Sequence, residues 1–382
     1  MEALNALWTF PAIILAALLI AWAAECGQFY ISQGLALAVL AWIQTLPEFA
    51  VEAVIASSAA HDPSKLHLVT ANFTGSLRLF IGLGWPLVYL IAFMANRKKT
   101  KSKASYTIFL HDEQSVAVIA LIPAILYFLI IYFKGTLTLA DSAVLIAIYG
   151  SYLFILSKLP PQEQESADEL DFVPRHVMKW GPPRTYLGIT ALFLIGGLLL
   201  FFSAHPFLNS MLALAMTMGI SEFVFVQWLA PFLSEFPEQL SAYRWAASVS
   251  KAPMALTNFV SSSINQWTIL VAMIPMVYSF SSGHVAVIHF DEHQKLEILL
   301  TIAQSYLGFL FLAGMDFALI EAAGLFGLWL VQFLVPGVRE EIVYFYALWI
   351  VVETTRFAWN TKKRNAFSAF GQLLEERVFK KR

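Results

Sequence analysis

Apolar blocks of about 20 residues recur from one end of this 382-residue chain to the other, and that recurrence leaves few folds open. In helical form a block of that length crosses the hydrocarbon core of a bilayer with its backbone hydrogen bonds satisfied internally. A transmembrane β-barrel would alternate polar and apolar side chains in segments of about ten residues, and this chain does not. Charged residues make up 13% of it, against roughly 25% in a soluble domain. The pattern predicts an all-α polytopic membrane protein. Spans are expected near 8–24, 34–60, 67–95, 115–133, 138–157, 185–203, 218–242, 254–280, 295–314, 317–336 and 341–359. The last is interrupted by charge and either crosses the membrane or lies in its interface.

The start, "MEALNALWTF", lacks the basic region of a signal peptide, so the first block is expected to be retained. Cys26 is the only cysteine, which excludes an intramolecular disulfide and a cysteine-based metal site. With a net charge of −2 and no basic stripe, nucleic acid is not an expected partner. The positive residues gather in "RKKTKSK" (97–103), in the polar loop 158–184 and in the tail, which contains "TKKRN" and ends "FKKR". Placing all three in the cytoplasm of a multi-pass protein of the cell membrane requires an external N-terminus. The terminal "FSAFGQLLEERVFKKR" reads as a basic amphipathic helix on the inner leaflet.

The chain repeats itself. Thr45-Leu46-Pro47-Glu48 in the second block answers Ser234-Glu235-Phe236-Pro237-Glu238 in the seventh, and "TANFTGS" (70–76) answers "LTNFVSS" (256–262). "HDEQ" (111–114) and "FDEHQ" (290–294) precede the fourth and ninth blocks and read as solvated helix starts. With five spans per half, the halves must be inverted in the membrane, an architecture common among secondary transporters. The expected organisation is a first repeat over 1–157, a cytoplasmic connection over 158–184, a second repeat over 185–336, and a C-terminal helix with a basic tail over 337–382.

Proline inside a span frees the carbonyl four residues back, so Pro47 would release Ile43 C=O and Pro237 would release Leu233 C=O. Glu48 and Glu238 follow those breaks. Two carboxylates with unwound carbonyls make a hard-oxygen environment for a cation such as Ca2+, and Asn72, Asn258, Thr45 and Ser234 can add neutral oxygens. Burying a carboxylate at the bilayer centre costs about 2.5–3.5 kcal/mol even on the mild insertion scale, and its recurrence in both halves points to use. Glu52 lies one turn past Glu48, Glu235 three residues before Glu238, and Arg78 six residues past Asn72. The four carboxylates and Arg78 carry more negative charge than one divalent ion neutralises, which makes proton–cation exchange chemically attractive. Arg78 either pairs with Glu52, the arrangement preferred here, or fills the ion site as a tethered cation in a protein that does not transport.

These paired sequences resemble the cation/Ca2+ exchanger superfamily, the sodium/calcium-exchanger-like proteins. Their two repeats read G-T-S-x-P-E-L and then G-N-x-x-G-S-N. "QTLPEF" with "ANFTGSL" is similar to the first, and "SEFPEQ" with "TNFVSSS" to the second; "ECGQFYISQG" (25–34) is similar to the end of the family's first helix. The resemblance implies ten core helices and a midplane site in which Glu48 and Glu238 coordinate a divalent ion, with Asn72 and Asn258 as further ligands. Gln44, Leu77, Glu235 and Ser263 depart from the motifs, and Leu68 and Met254 stand where sodium-driven members carry small hydroxyl residues.

The combined reading is a secondary antiporter exchanging a divalent cation, Ca2+ first, for Na+ or H+ by alternating access. Proton-driven export of Mg2+ or Mn2+ is the alternative. No cofactor is expected, and the partners are inorganic cations and membrane lipid. An intramembrane enzyme is disfavoured, because no nucleophile–base set, phosphate loop or histidine cluster is visible.

Overall fold

The computed structural model describes residues 2–27, 29, 45–100, 106–159, 170, 172–219 and 221–379. The start of the second predicted span with Gln44, most of "ECGQFYISQG", the basic residues 101–103, much of the central loop and the last three residues lie outside the described residues.

In chain order the helices are α1 (Ala6–Gly27), α2 (Leu46–His61), α3 (Leu66–Leu79) and α4 (Trp85–Thr100). Strand β1 (Thr107–Phe109), α5 (Ser115–Lys134), β2 (Thr136–Leu137) and α6 (Leu139–Leu156) follow. After α7 (Phe172–Met178) and α8 (Arg184–Thr217) come α9 (Glu222–Val224), α10 (Ala230–Ser234) and α11 (Phe236–Ala247). Next are α12 (Ala252–Asn265), α13 (Val271–Ser282), β3 (Ile288–His289) and α14 (Glu292–Leu312). The chain closes with β4 (Asp316–Ala318), α15 (Leu319–Leu334), α16 (Arg339–Trp359) and α17 (Asn365–Leu373). Seven helical stretches among the described residues are long and apolar enough to cross a membrane, and 222–234 and 319–334 are shorter apolar helices. Helix α16 has 21 residues, about 31 Å at helical rise, so its length suffices to span. One side buries Ile342 and Tyr346, while Tyr344, Leu348 and Val351 are exposed.

Two compact units form, residues 1–72 with 156–238 and residues 73–155 with 239–382; each draws on both halves of the sequence. In the first, α1 packs along α8. Thr9 Oγ1 lies 2.9 Å from Ser210 Oγ, and a Cβ on Gly196 would meet Ile20 Cγ1 at 2.9 Å and the Ala16 carbonyl at 3.0 Å. An early residue of α1 thus meets a late one of α8, and the helices run antiparallel with small residues at the contact, as helices do in lipid. The sequence placed the end of this span near 203; α8 instead continues to Thr217 through Pro206, because its packing on α1 extends that far.

In the second unit two short antiparallel ribbons make the inversion visible. Strand β1, before α5, pairs with β4, after α14; β2, after α5, pairs with β3, before α14. Helix α5 therefore runs from the first ribbon to the second and α14 runs back. Both start on a reciprocal cap. His111 N–H donates to Gln114 Oε1 (2.8 Å). Asp291 N–H donates to Gln294 Oε1 (2.9 Å), and Gln294 N–H returns to Asp291 Oδ1 (2.8 Å). These are the two "DEQ"-type sequences, acting as helix starts as expected.

The corners after α5 and α14 also correspond. Gly135 (φ 68°) and Met315 (φ 62°) hold the same left-handed turn position, and a carboxylate seven residues after Lys134 or Gly314 caps the next helix. Asp141 Oδ2 accepts Thr138 N–H (2.7 Å), and Glu321 Oε2 accepts Ala318 N–H (2.8 Å). At the first corner Lys134 Nζ neutralises Asp141 (2.5 Å). At the second, the lysine position is Gly314, and Lys363 from the tail supplies the cation to Glu321 (2.9 Å). The tail is fixed there: Ala366 N–H donates to Ala313 O (3.0 Å), and Ala366 and Ala369 are buried where α17 packs on α5. The inner-leaflet helix expected from the sequence is, over Asn365–Leu373, a helix docked on protein.

Candidate cation site

The first unit carries most of the predicted ligands. Helix α2 starts at Leu46, with Pro47 and Glu48 in its first turn and Thr45 just before it. Proline is tolerated there, because the first-turn amides have no intrahelical partner, and a carboxylate is favoured at that positive end. Among the described residues Pro47 opens a helix; Ile43 and the start of the expected span lie outside them. On the other side, α10 ends at Ser234 and α11 starts at Phe236, so Glu235 sits in a break between two helices, with Glu238 in the first turn of the second. The i,i+3 face expected for Glu235 and Glu238 is therefore interrupted. Glu48 and Glu52 do share a face of α2.

All four carboxylates are buried, at 1% (Glu48), 0% (Glu52), 2% (Glu235) and 1% (Glu238) exposure, and α2 packs against α10. Thr45 and Ser234 are buried too. The Ser234 hydroxyl lies 3.1 Å from both Ala230 O and Pro231 O, leaving its oxygen lone pairs available. Asn72 Nδ2 donates to Glu52 Oε2 at 2.6 Å. That bond turns the rest of both groups loose: Asn72 Oδ1 and Glu52 Oε1 are buried and have no hydrogen-bond partner among the described residues. Two orphaned hard oxygens in a buried place are costly unless something cationic or protic meets them.

Asn258 and Arg78 belong to the second unit. Asn258 is half-buried on α12. Arg78 is fully buried; its Nη2 donates to Glu297 Oε2, its Nη1 to Gln332 Oε1 (2.9 Å) and its Nε to Thr74 O (3.1 Å). The expected Arg78–Glu52 salt bridge is thus replaced by two separate pairings, Arg78 with Glu297 and Glu52 with Asn72. Glu297 accepts a second arginine, Arg339 Nη1, at 2.6 Å. Sequence reasoning named neither Glu297 nor Arg339. A signal was present, since a buried arginine demands a carboxylate and Glu297 lies inside the ninth apolar block.

Asn72 and Asn258 are each followed, eight residues on, by a π-helical turn, Phe80–Gly84 and Gln266–Leu270. Insertions of this kind concentrate at functional sites. The two asparagines therefore occupy equivalent places in equivalent irregular helices, α3–α4 and α12–α13.

The family model described as "Sodium/calcium exchanger protein" matches residues 3–158 and 188–336. A crystal structure of the H+/Ca2+ exchanger CAX is similar over 99% of this chain and 92% of its own, with 31% identity and a TM-score of 0.89. Structures of the sodium-calcium exchanger NCX_Mj share the fold at lower identity. One has 18% identity, 87% and 99% coverage and a TM-score of 0.58; another has 17% identity, 88% and 99% coverage and a TM-score of 0.57. No curated protein sequence matches the chain. The inverted ribbons, the paired Pro-Glu helix starts and the paired asparagine helices lie within the matched residues, and the chain belongs to the sodium/calcium exchanger protein family.

Proposed function

We propose that this protein is a secondary antiporter that exchanges a divalent cation, Ca2+ first, for H+. Glu48 and Glu238 bind the ion, Asn72 and Asn258 contribute amide oxygens, and Thr45 and Ser234 lend hydroxyls. Glu52 and Glu235 carry the coupling protons. The observation that carries the reading is the Asn72–Glu52 bond, which leaves one amide and one carboxylate oxygen buried and unengaged. Hard oxygens in that state suit Ca2+ or a proton. Arg78 is committed to Glu297 and Gln332, which speaks against its acting as a tethered cation in place of the transported one. The 31% identity to a protein described as an H+/Ca2+ exchanger favours H+ over Na+ as counter-ion, as does the apolar pair Leu68 and Met254. We place the protein in the cell membrane, with its N-terminus outside and the 158–184 connection in the cytoplasm.

The cycle follows from charge. Ca2+ on Glu48 and Glu238, or protons on Glu52 and Glu235, each removes two negative charges from the site; the empty, fully ionised site keeps them all, and its passage through an apolar bundle is penalised most. Exchange rather than leak results. The test is flux in proteoliposomes with Ca2+, Mn2+ and Mg2+ under imposed pH or Na+ gradients, comparing the parent with Glu48→Gln and Glu238→Gln. Ca2+ flux that follows the pH gradient and falls at least about 100-fold in either variant is expected, since each removes a charged ligand. Undiminished flux in both would remove the site, and flux that follows Na+ alone would remove proton coupling.

A further inference from the structure

Arg78, Glu297 and Arg339 form a buried Arg–Glu–Arg cluster that the ion site itself does not require. It sits in a wider set of polar contacts around one turn of α3. Gln304 Nε2 donates to the Arg78 carbonyl (2.9 Å) and Gln266 Nε2 donates to Ser76 Oγ (2.5 Å). Gln332, already bonded to Arg78, lies 3.2 Å from Tyr346 Oη, which itself donates to Gln304 Oε1 (3.0 Å). Glu297, Gln304, Gln332 and Tyr346 are each fully buried. Residues 74–78 are thereby gripped from the π-helical turn after α12, from α14 and from α15, with Tyr346 and Arg339 of α16 behind those partners.

Such a cluster is a poor means of gaining stability. Replacing a buried ion triad by apolar side chains of similar volume is often neutral or stabilising, because desolvation offsets the attraction. What the cluster does supply is direction. A guanidinium fork accepts few orientations, so Arg78 fixes both the height of α3 and its rotation about its axis. Asn72 lies six residues earlier on the same helix, about 9 Å along the axis. At the equivalent place six residues past Asn258 the chain has Ile264, so only the helix carrying Asn72 is clamped in this way. The asymmetry matches the Asn72 amide, whose bond to Glu52 must be met at 2.6 Å for its carbonyl to remain free.

We infer that Arg78, locked by Glu297, is a positioning residue for the exchange reaction: it sets α3 so that Asn72 donates to Glu52 and offers its carbonyl oxygen to the cation. The inference rests on the reading of Asn72 as a ligand in the proposed function. It assigns Arg78 a role through Asn72, with no contact to the transported ion, as partners behind metal ligands commonly act.

The experiment measures Ca2+ exchange in proteoliposomes, as KM and maximal rate, beside melting of each purified variant. The variants are Arg78→Lys, the all-apolar Arg78→Met/Glu297→Met/Arg339→Met, Asn72→Ala, and the last two combined. The apolar triple variant is expected to melt close to the parent while its KM for Ca2+ rises about 10–100-fold. Arg78→Lys, which keeps charge but loses the fork, should raise KM by a smaller factor. Adding the triple change to Asn72→Ala should raise KM no further than Asn72→Ala alone, a non-additivity that a purely structural cluster would not produce. A folded triple variant, or a folded Arg78→Lys should the triple fail to fold, with parental KM overturns the inference. So does full additivity with Asn72→Ala. If Asn72→Ala itself leaves KM unchanged, the reading of Asn72 as a ligand fails first.

Discussion

Glu52 is the residue whose role changes most between the sequence and the folded chain. From spacing alone it is the counter-charge of Arg78; in the structure Arg78 is engaged by Glu297 and Gln332, and Glu52 takes the amide of Asn72. A carboxylate that accepts one neutral donor on one oxygen and keeps the other unengaged can take up a proton without breaking an ion pair. Charge and hydrogen bonding are separable here by substitution. Glu52→Gln keeps an oxygen to accept the Asn72 amide but cannot ionise, whereas Glu52→Ala loses both. In Glu52→Gln, Ca2+ binding should stay within about tenfold of the parent while the response of flux to an imposed pH gradient is lost. Glu52→Ala should lose affinity as well, by about 10–100-fold, because Asn72 is released. Isothermal titration with Ca2+ alongside pH-jump flux separates these. A pH response retained in Glu52→Gln would move proton coupling to another carboxylate.

At the level of elements, the two corners that follow α5 and α14 show how the tail has become part of the repeat. The first corner is self-sufficient, with Lys134 and Asp141 on adjoining elements. The second has Gly314 in place of the lysine, and Glu321 depends on Lys363, with Asp316 3.9 Å from the same ammonium. Lys363→Met should therefore leave a mostly buried carboxylate without its cation and cost about 1–3 kcal/mol, read as a lowered melting temperature in detergent. Lys134→Met, where the Lys134 side chain is 37% exposed, should cost less, since Asp141 keeps Tyr127 and Thr138. Rescue of Lys363→Met by Gly314→Lys with Asp316→Thr would rebuild the first corner in the second. The threonine is needed because a Cβ at Gly314 would meet Asp316 Oδ1 at 2.4 Å. The same corners explain what could be read in advance. The helical class, the order of the repeats and their inversion were legible, because lipid imposes a length on each apolar block and the Pro-Glu and Asn-Phe sequences recur. The length of α8 was not, since Pro206 and the polar residues around it resemble a span end when its packing partner is unknown. The partner of Arg78 was not legible either: apolar context announces that a charge needs a mate but not which of several carboxylates, and Glu297 lies 219 residues away. For the site, residue types were readable and their pairings were not.

At the scale of the whole molecule, an inverted repeat builds its two ends alike, so fold alone does not say which end faces the cytoplasm; charge decides. The end bearing the β1·β4 ribbon has Arg97, Lys98 and Lys99 in the last turn of α4 shortly before β1, and Lys362, Lys363 and Arg364 beside it. The β2·β3 end has Lys134 and Lys295, each offset by a neighbouring carboxylate, Asp141 and Glu292. The positive-inside rule counts lysine and arginine in short loops near span ends, and from it we propose that the β1·β4 ribbon faces the cytoplasm. Cys26, the only cysteine, is buried, so single introduced cysteines can report sidedness against a quiet background. His284 is exposed on the approach to β3, and Ser368 is exposed on α17. In intact cells a membrane-impermeant maleimide should label His284→Cys and leave Ser368→Cys unmodified until the membrane is permeabilised. The reverse pattern would turn the protein over and place the 158–184 connection outside. Labelling of both from one side would be the graver result, because α5 and α14 could then not run between opposite ends of their unit, and the antiparallel relation of the two ribbons would go with it.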